Sequence, residues 1–134
     1  MIALDSSVVV ASFGAWHERH VIARETLADS PALPAHAALE AYSVLTRLPE
    51  PFRAEPLIVA EFLERGFSSA RLVLDARHQA ALPARLAGLG ISGGAVYDAL
   101  IAFTAGAADA EIVTLDRRAF ATYQLCDVTA RLLA

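Results

Sequence analysis

Apolar and polar positions along the chain fall into blocks of two kinds. The first kind is a short continuous apolar run: "MIAL" at the start, "RLVLD" at 71–75 and "EIVTL" at 111–115. Such runs suit strands buried on both faces. "PALPA" at 31–35 suits a brief strand around Ala32 and Leu33, and "DVTARLLA" at 127–134 a closing one. The second kind has helical spacing. "SSVVVASF" at 6–13 predicts a helix capped by Asp5 or Ser6. "HERHVIARETLADS" at 17–30 predicts another, and "AHAALEAYSVLTRL" at 35–48 a third that Pro49 and Pro51 stop. "EPLIVAEFLERG" ends in Gly66 as a C-cap, and "ARHQAALPARLAGLG" at 76–90 predicts one helix with Pro83 inside it or at a kink. "GGAVYDALIAFTAGAADA" at 93–110 predicts a long helix buried all round, and "RRAFATYQL" at 117–125 a short one. Strands alternating with helices imply a parallel sheet with helices on both faces.

Length and composition narrow this to one apolar domain over residues 1–134. The 134 residues are 56% hydrophobic, and the mean hydropathy is +0.46, which places the chain among globular proteins. No uncharged apolar stretch of about 18 residues occurs, so no membrane span is expected. "MIALDSSVVV" lacks a basic leader and is not expected to be a signal peptide. A single cysteine, Cys126, forbids an internal disulfide and fits a cytoplasmic location. The net charge of −4 argues against a basic nucleic-acid-binding surface. All 11 basic residues are arginine.

Four carboxylates stand out. Asp5 and Asp116 each follow an apolar strand, where an open α/β sheet lines its ligand crevice. Both positions equally suit the cap of the following helix. Asp98 interrupts the most apolar helix, and counting by four gives Gly94, Asp98, Ala102 and Gly106, a stripe of small residues. It is either a buried, hydrogen-bonded structural acid or a ligand that small neighbours leave accessible. Glu40 interrupts another apolar helix and on its own reads as a surface glutamate. If the four converge, they repel by about 4 kcal/mol per pair at about 4 Å and an effective dielectric of about 20. A hard divalent cation with oxygen ligands removes that conflict. Such an ion can lower the pKa of a bound water and offset charge on a phosphoryl group.

These residues resemble those of the PIN-domain ribonucleases, most closely the VapC-type toxins of toxin–antitoxin pairs. The resemblance spans essentially the whole chain. "ALDSSVVV" resembles the opening strand, first acid and hydroxyl-bearing turn, with Asp5 and Ser7. Glu40 resembles the second acid, "GGAVYDALIA" supplies Asp98 as the third, and "VTLDRRAF" supplies Thr114 and Asp116. The resemblance implies a three-layer α/β/α fold around a parallel sheet of four or five strands. It also implies a Mg²⁺- or Mn²⁺-dependent endoribonuclease, homodimeric, acting on RNA and neutralised by a cognate VapB-type antitoxin. Asp5, Glu40, Asp98 and Asp116 would hold the metal and be catalytic. Ser7 and Thr114 would orient acids or waters. Arg117 and Arg118 are the nearest candidates for RNA phosphate contacts, and Trp16 and His17 are candidates for stacking on a base.

Other motifs lead nowhere. "GLGISG" at 88–93 matches G-x-G-x-x-G but follows a helix instead of a strand, so it reads as a C-cap and turn. The absence of lysine removes a P-loop and a phospho-acceptor receiver. A haloacid-dehalogenase-type phosphatase wants an aspartate where Ser7 stands. The alternative to an enzyme is a catalytically inactive PIN-like module for RNA binding or protein interaction, but a decayed site would tolerate replacement of its acids.

Overall fold

The computed structural model describes residues 1–133, so Ala134, the last residue of the expected closing strand, lies outside the described residues. Three parallel strands, β1 (Ile2–Leu4), β2 (Glu111–Thr114) and β3 (Ala130–Leu132), form a sheet in the order β1-β2-β3. The expectation of four or five strands is corrected to three. "PALPA" and "RLVLD" contribute only the isolated parallel bridges Ala3–Ala32 and Pro34–Leu72. Pro31 and Pro34 have no N–H to donate, so a ladder cannot run through that segment. Ala32 still exchanges bonds with β1: its N–H donates to the Ile2 carbonyl, and its own carbonyl accepts from Leu4 N–H.

The helices are α1 (Ser6–Phe13), α2 (His20–Glu25), α3 (Ala35–Thr46), α4 (Pro56–Gly66), α5 (Ala76–Ala80), α6 (Leu82–Leu89), α7 (Ala95–Ala107) and α8 (Arg117–Leu125). Two expected helices are cut. After α2, residues Thr26–Asp29 tighten into a 3₁₀ turn that ends at Ser30 with φ 49°. The single helix expected around Pro83 breaks between α5 and α6, with the proline in the first turn of α6, where its missing N–H costs nothing. Gly66 is the last helical residue of α4, and Phe67 is the cap. Gly90, at φ 71°, closes α6, and Ile91 N–H reaches back to the Leu86 carbonyl, which disposes of "GLGISG" as a nucleotide loop.

The core forms where the apolar runs meet. Ala3, Leu4, Ile112, Val113 and Thr114 of the sheet are fully buried. Helix α1 packs on α2, α3 and β2, α7 packs on β2 and α8, and α3 also reaches α7. The body of α7 is buried from Ala99 to Ala105 except at Leu100, but its first turn emerges, with Asp98 half-buried and Tyr97 exposed. The small-residue stripe therefore divides. A side chain at Gly94 would meet open space, whereas a Cβ at Gly106 would lie 2.9 Å from Val128 Cγ1. Gly106 serves close packing of the segment after α8, and only the Gly94 end leaves Asp98 approachable.

Candidate metal-binding acidic site

Parallel register brings the first pair of acids together. Leu4 pairs with Val113, Asp5 N–H donates to the Val113 carbonyl, and the chain then enters α1. Asp116 follows β2 at the same carboxyl edge of the sheet and opens α8. Each is an N-cap as well as a candidate acid. Asp5 Oδ1 accepts from Ser7 N–H at 3.0 Å and Val8 N–H at 3.4 Å. Asp116 Oδ1 accepts from Arg118 N–H at 2.9 Å and Ala119 N–H at 3.3 Å. The two caps are joined by hydroxyls. Ser7 Oγ donates to Asp5 Oδ1 and accepts from Leu115 N–H. It lies 3.3 Å from Thr114 Oγ1, which accepts from Asp116 N–H. Ser7 and Thr114 thus tie the turn after β1 to the turn after β2.

The packing of α3 on α7 supplies the other two acids. Asp98 carries the strongest sign of shared charge: its pKa is pushed up to about 6 by burial first, then by the charges of Glu40, Asp116 and Asp5. Glu40 is raised by burial and by Asp5, with the Ser6 hydroxyl opposing. Asp5, only 2% exposed, is raised because burial outweighs its hydrogen bonds from Ser7, Tyr123 and Val8. The four acids therefore lie in one electrostatic field. Among the described residues, however, no three His, Cys, Asp or Glu side chains are gathered tightly enough to hold a metal ion.

The donor set still fits a hard cation. Glu40 Oε1 is buried and accepts no hydrogen bond, a costly state for a carboxylate oxygen unless something else satisfies it. Its other oxygen lies 3.8 Å from His36 Nε2. Burial holds His36 below its usual pKa, which makes the imidazole a poor cation for that pairing. Asp98 accepts no hydrogen bond from the described residues.

A groove of about 650 Å³ adjoins Asp116 alone of the four acids and is lined in part by Ser7, His17, Glu18, Arg19 and Arg117. Arg118 is exposed and is not among its lining residues. Trp16 lies beside His17, with ring centroids 5.7 Å apart. The larger cavity, about 900 Å³, is at the opposite edge, where Met1, Glu111 and Thr129 begin or precede the strands, and it contains none of the four acids.

Two residues at the site escaped the sequence. Tyr123, fully buried on α8, donates its hydroxyl to Asp5 Oδ2 at 2.8 Å. The available signal was a tyrosine four residues after Ala119 on the buried stripe of a helix capped by an acid, where a buried hydroxyl needs a partner. His36, one turn before Glu40, stacks on Tyr97 with an interplanar angle of 11°.

The fold and the acidic carboxyl edge define a class of protein, and a family model described as PIN domain matches residues 2–124. The chain belongs to the PIN domain family, in its VapC-type branch. It is 48% identical over 133 residues to Ribonuclease VapC40 of Mycobacterium tuberculosis (strain ATCC 25618 / H37Rv), with 99% of both chains covered. Ribonuclease VapC27 of the same strain is 42% identical over 124 residues, covering 92% of this chain and 90% of that one. Among solved structures, FitAB bound to an IR36 DNA fragment superposes with a TM-score of 0.70 at 21% identity, covering 98% and 94% of the two chains. FitAcB from Neisseria gonorrhoeae superposes at 0.69 and 21%, covering 97% and 96%. At that identity the likeness is one of fold.

Proposed function

We propose that this chain is a single PIN-like domain that hydrolyses RNA phosphodiester bonds as a cytoplasmic toxin, dimeric and restrained by a cognate VapB-type antitoxin. Two relatives carry the name ribonuclease along nearly the whole chain. The observation that carries the proposal is the field shared by Asp5, Glu40, Asp98 and Asp116, in which Asp98 is driven to about 6 and Glu40 Oε1 has no donor. Asp98, raised by burial and then by the charges of Glu40, Asp116 and Asp5, and Glu40, raised by burial and by Asp5, are poorly placed as structural features and well placed as ligands of a cation.

Asp5, Glu40, Asp98 and Asp116 would hold one or two Mg²⁺ or Mn²⁺ ions, directly or through water. The ion, when bound, supplies activation of water and offsets the charge that develops on the phosphodiester. The chain's own residues then have distinct tasks. Ser7 and Thr114 fix the two strand-end turns, so that Asp5 and Asp116 keep their separation. Arg117 and Arg19, on the groove beside Asp116, bind RNA phosphates, with Arg118 as an outer contact. His17 lines the same groove and orients the strand there.

The test is incubation of purified protein with total RNA in Mn²⁺ or Mg²⁺, in EDTA, and as Asp98→Asn. Discrete products that require the metal and vanish in the variant are expected. Cleavage that persists in EDTA would overturn the metal-dependent mechanism. Absence of both cleavage and metal binding would favour the inactive-module alternative.

A further inference from the structure

The two aspartate caps at the sheet edge provide an internal comparison. In both, one oxygen satisfies the cap by accepting from the second and third amides of its helix. At Asp116 the capping is complete with that oxygen alone. At Asp5 the second oxygen is also held, by a side chain from another helix and 118 positions away in the chain. That bond is surplus to capping. We infer that Tyr123 is a positioning residue, whose hydroxyl locks the Asp5 carboxylate at two points and so fixes the orientation it offers to a divalent cation. This rests on the proposed metal site.

Three observations support the assignment. A carboxylate has about four lone-pair directions. Oδ1 takes Ser7 N–H, Ser7 Oγ and Val8 N–H, and Oδ2 takes only Tyr123, so unused acceptor capacity remains on the oxygen that Tyr123 orients. The phenol is neutral, so it orients Asp5 without cancelling the negative charge that a cation requires, as an arginine or lysine would. Tyr123 is also fully buried, so bulk water does not compete for the hydrogen bond it donates to Asp5 Oδ2. Groups that orient metal ligands commonly carry 10–100-fold of affinity.

The experiment is calorimetric titration of the full chain with Mn²⁺ alone, on the wild type, Tyr123→Phe, and the protein with 4-aminophenylalanine at position 123. Urea midpoints are measured without metal. Val59→Ala, a fully buried change on α4, serves as a destabilised control. Tyr123→Phe is expected to weaken Mn²⁺ binding about tenfold. Val59→Ala keeps the wild-type Kd, and 4-aminophenylalanine, which retains a neutral donor at the ring's end, restores most of the loss. Tyr123→Phe with a lowered urea midpoint and an unchanged Kd would make the tyrosine merely structural and overturn the inference. The amine failing with the phenylalanine would do the same. If Tyr123→Phe does not fold, 4-fluorophenylalanine at that position fills the volume with no proton to donate and faces the same two outcomes. A wild type that binds no Mn²⁺ would instead remove the metal-site proposal, and this inference with it.

Discussion

At the scale of single residues, Asp98 is a lone half-buried charge in an apolar run. Its legibility came from contrast: the only acid among the side chains of α7 has no structural partner to justify it. Tyr123 was illegible for the opposite reason, because a tyrosine on a buried helical stripe is ordinary and its partner lies at the other end of the chain. Glu40 was intermediate, an unremarkable glutamate until the packing of α3 on α7 placed it in the field of Asp5 and Asp98. The raised pKa of Asp98 has a consequence for stability. An acid that binds its proton more tightly when folded contributes most below its unfolded value of 3.8, and that contribution is lost as the pH climbs through about 6. In EDTA, therefore, wild-type stability should fall relative to Asp98→Asn across that window. By neutral pH the variant should be the more stable by on the order of 1 kcal/mol, a figure discounted for the half-exposed carboxylate. Urea unfolding of both proteins from pH 4 to pH 8 reads this directly. A difference that stays flat across the range would mean that Asp98 does not feel its three neighbours.

At the scale of elements, capping leaves the proposed chemistry open to the same aspartates. Strand-end position suits both, and the structure shows the cap, which engages one oxygen of each aspartate and leaves the other outside the capping bonds. Asp116 allows the two uses to be separated. Asparagine caps a helix about as well as aspartate, so Asp116→Asn should keep the thermal stability of the protein while losing most RNA cleavage. Asp116→Ala should lose the cleavage and also about 1 kcal/mol of stability as Arg118 and Ala119 N–H lose their acceptor. Thermal melts and cleavage assays on the pair decide it: equal activity of wild type and Asp116→Asn would reduce Asp116 to a cap. The elements that the hydrophobic pattern misjudged all involve backbone chemistry that the pattern does not see. Pro31 and Pro34 thin a strand to single bridges, and Pro83 opens a new helix instead of bending an old one. The long runs that build α3, α7 and β2 were legible because burial alone specifies them.

At the scale of the whole molecule, a net charge of −4 must be reconciled with a polyanionic substrate. Asp98 lies in the field of Glu40, Asp116 and Asp5, so a divalent cation bound among them, as proposed, would remove the repulsion where RNA would approach. Metal should accordingly stabilise the fold. At about 100 times its Kd, Mn²⁺ should add about 2.7 kcal/mol, a rise of roughly 10 °C in Tm for a domain of this size, and Asp98→Asn should lose most of that rise. The same arrangement limits how RNA is held. With a net charge of −4, few phosphates should be neutralised, and the salt dependence of binding should be shallow. Arg117 lies in the groove and Arg118 outside it, so they should contribute unequally. On the cleavage-deficient Asp98→Asn background, Arg117→Ala should weaken RNA binding and lower the salt slope by about 1, and Arg118→Ala should do less. Anisotropy titrations with labelled RNA at several salt concentrations measure both. Equal losses from the two arginines would place the RNA path along the outer face of α8, away from the groove, and with it the side from which the phosphodiester enters the acids.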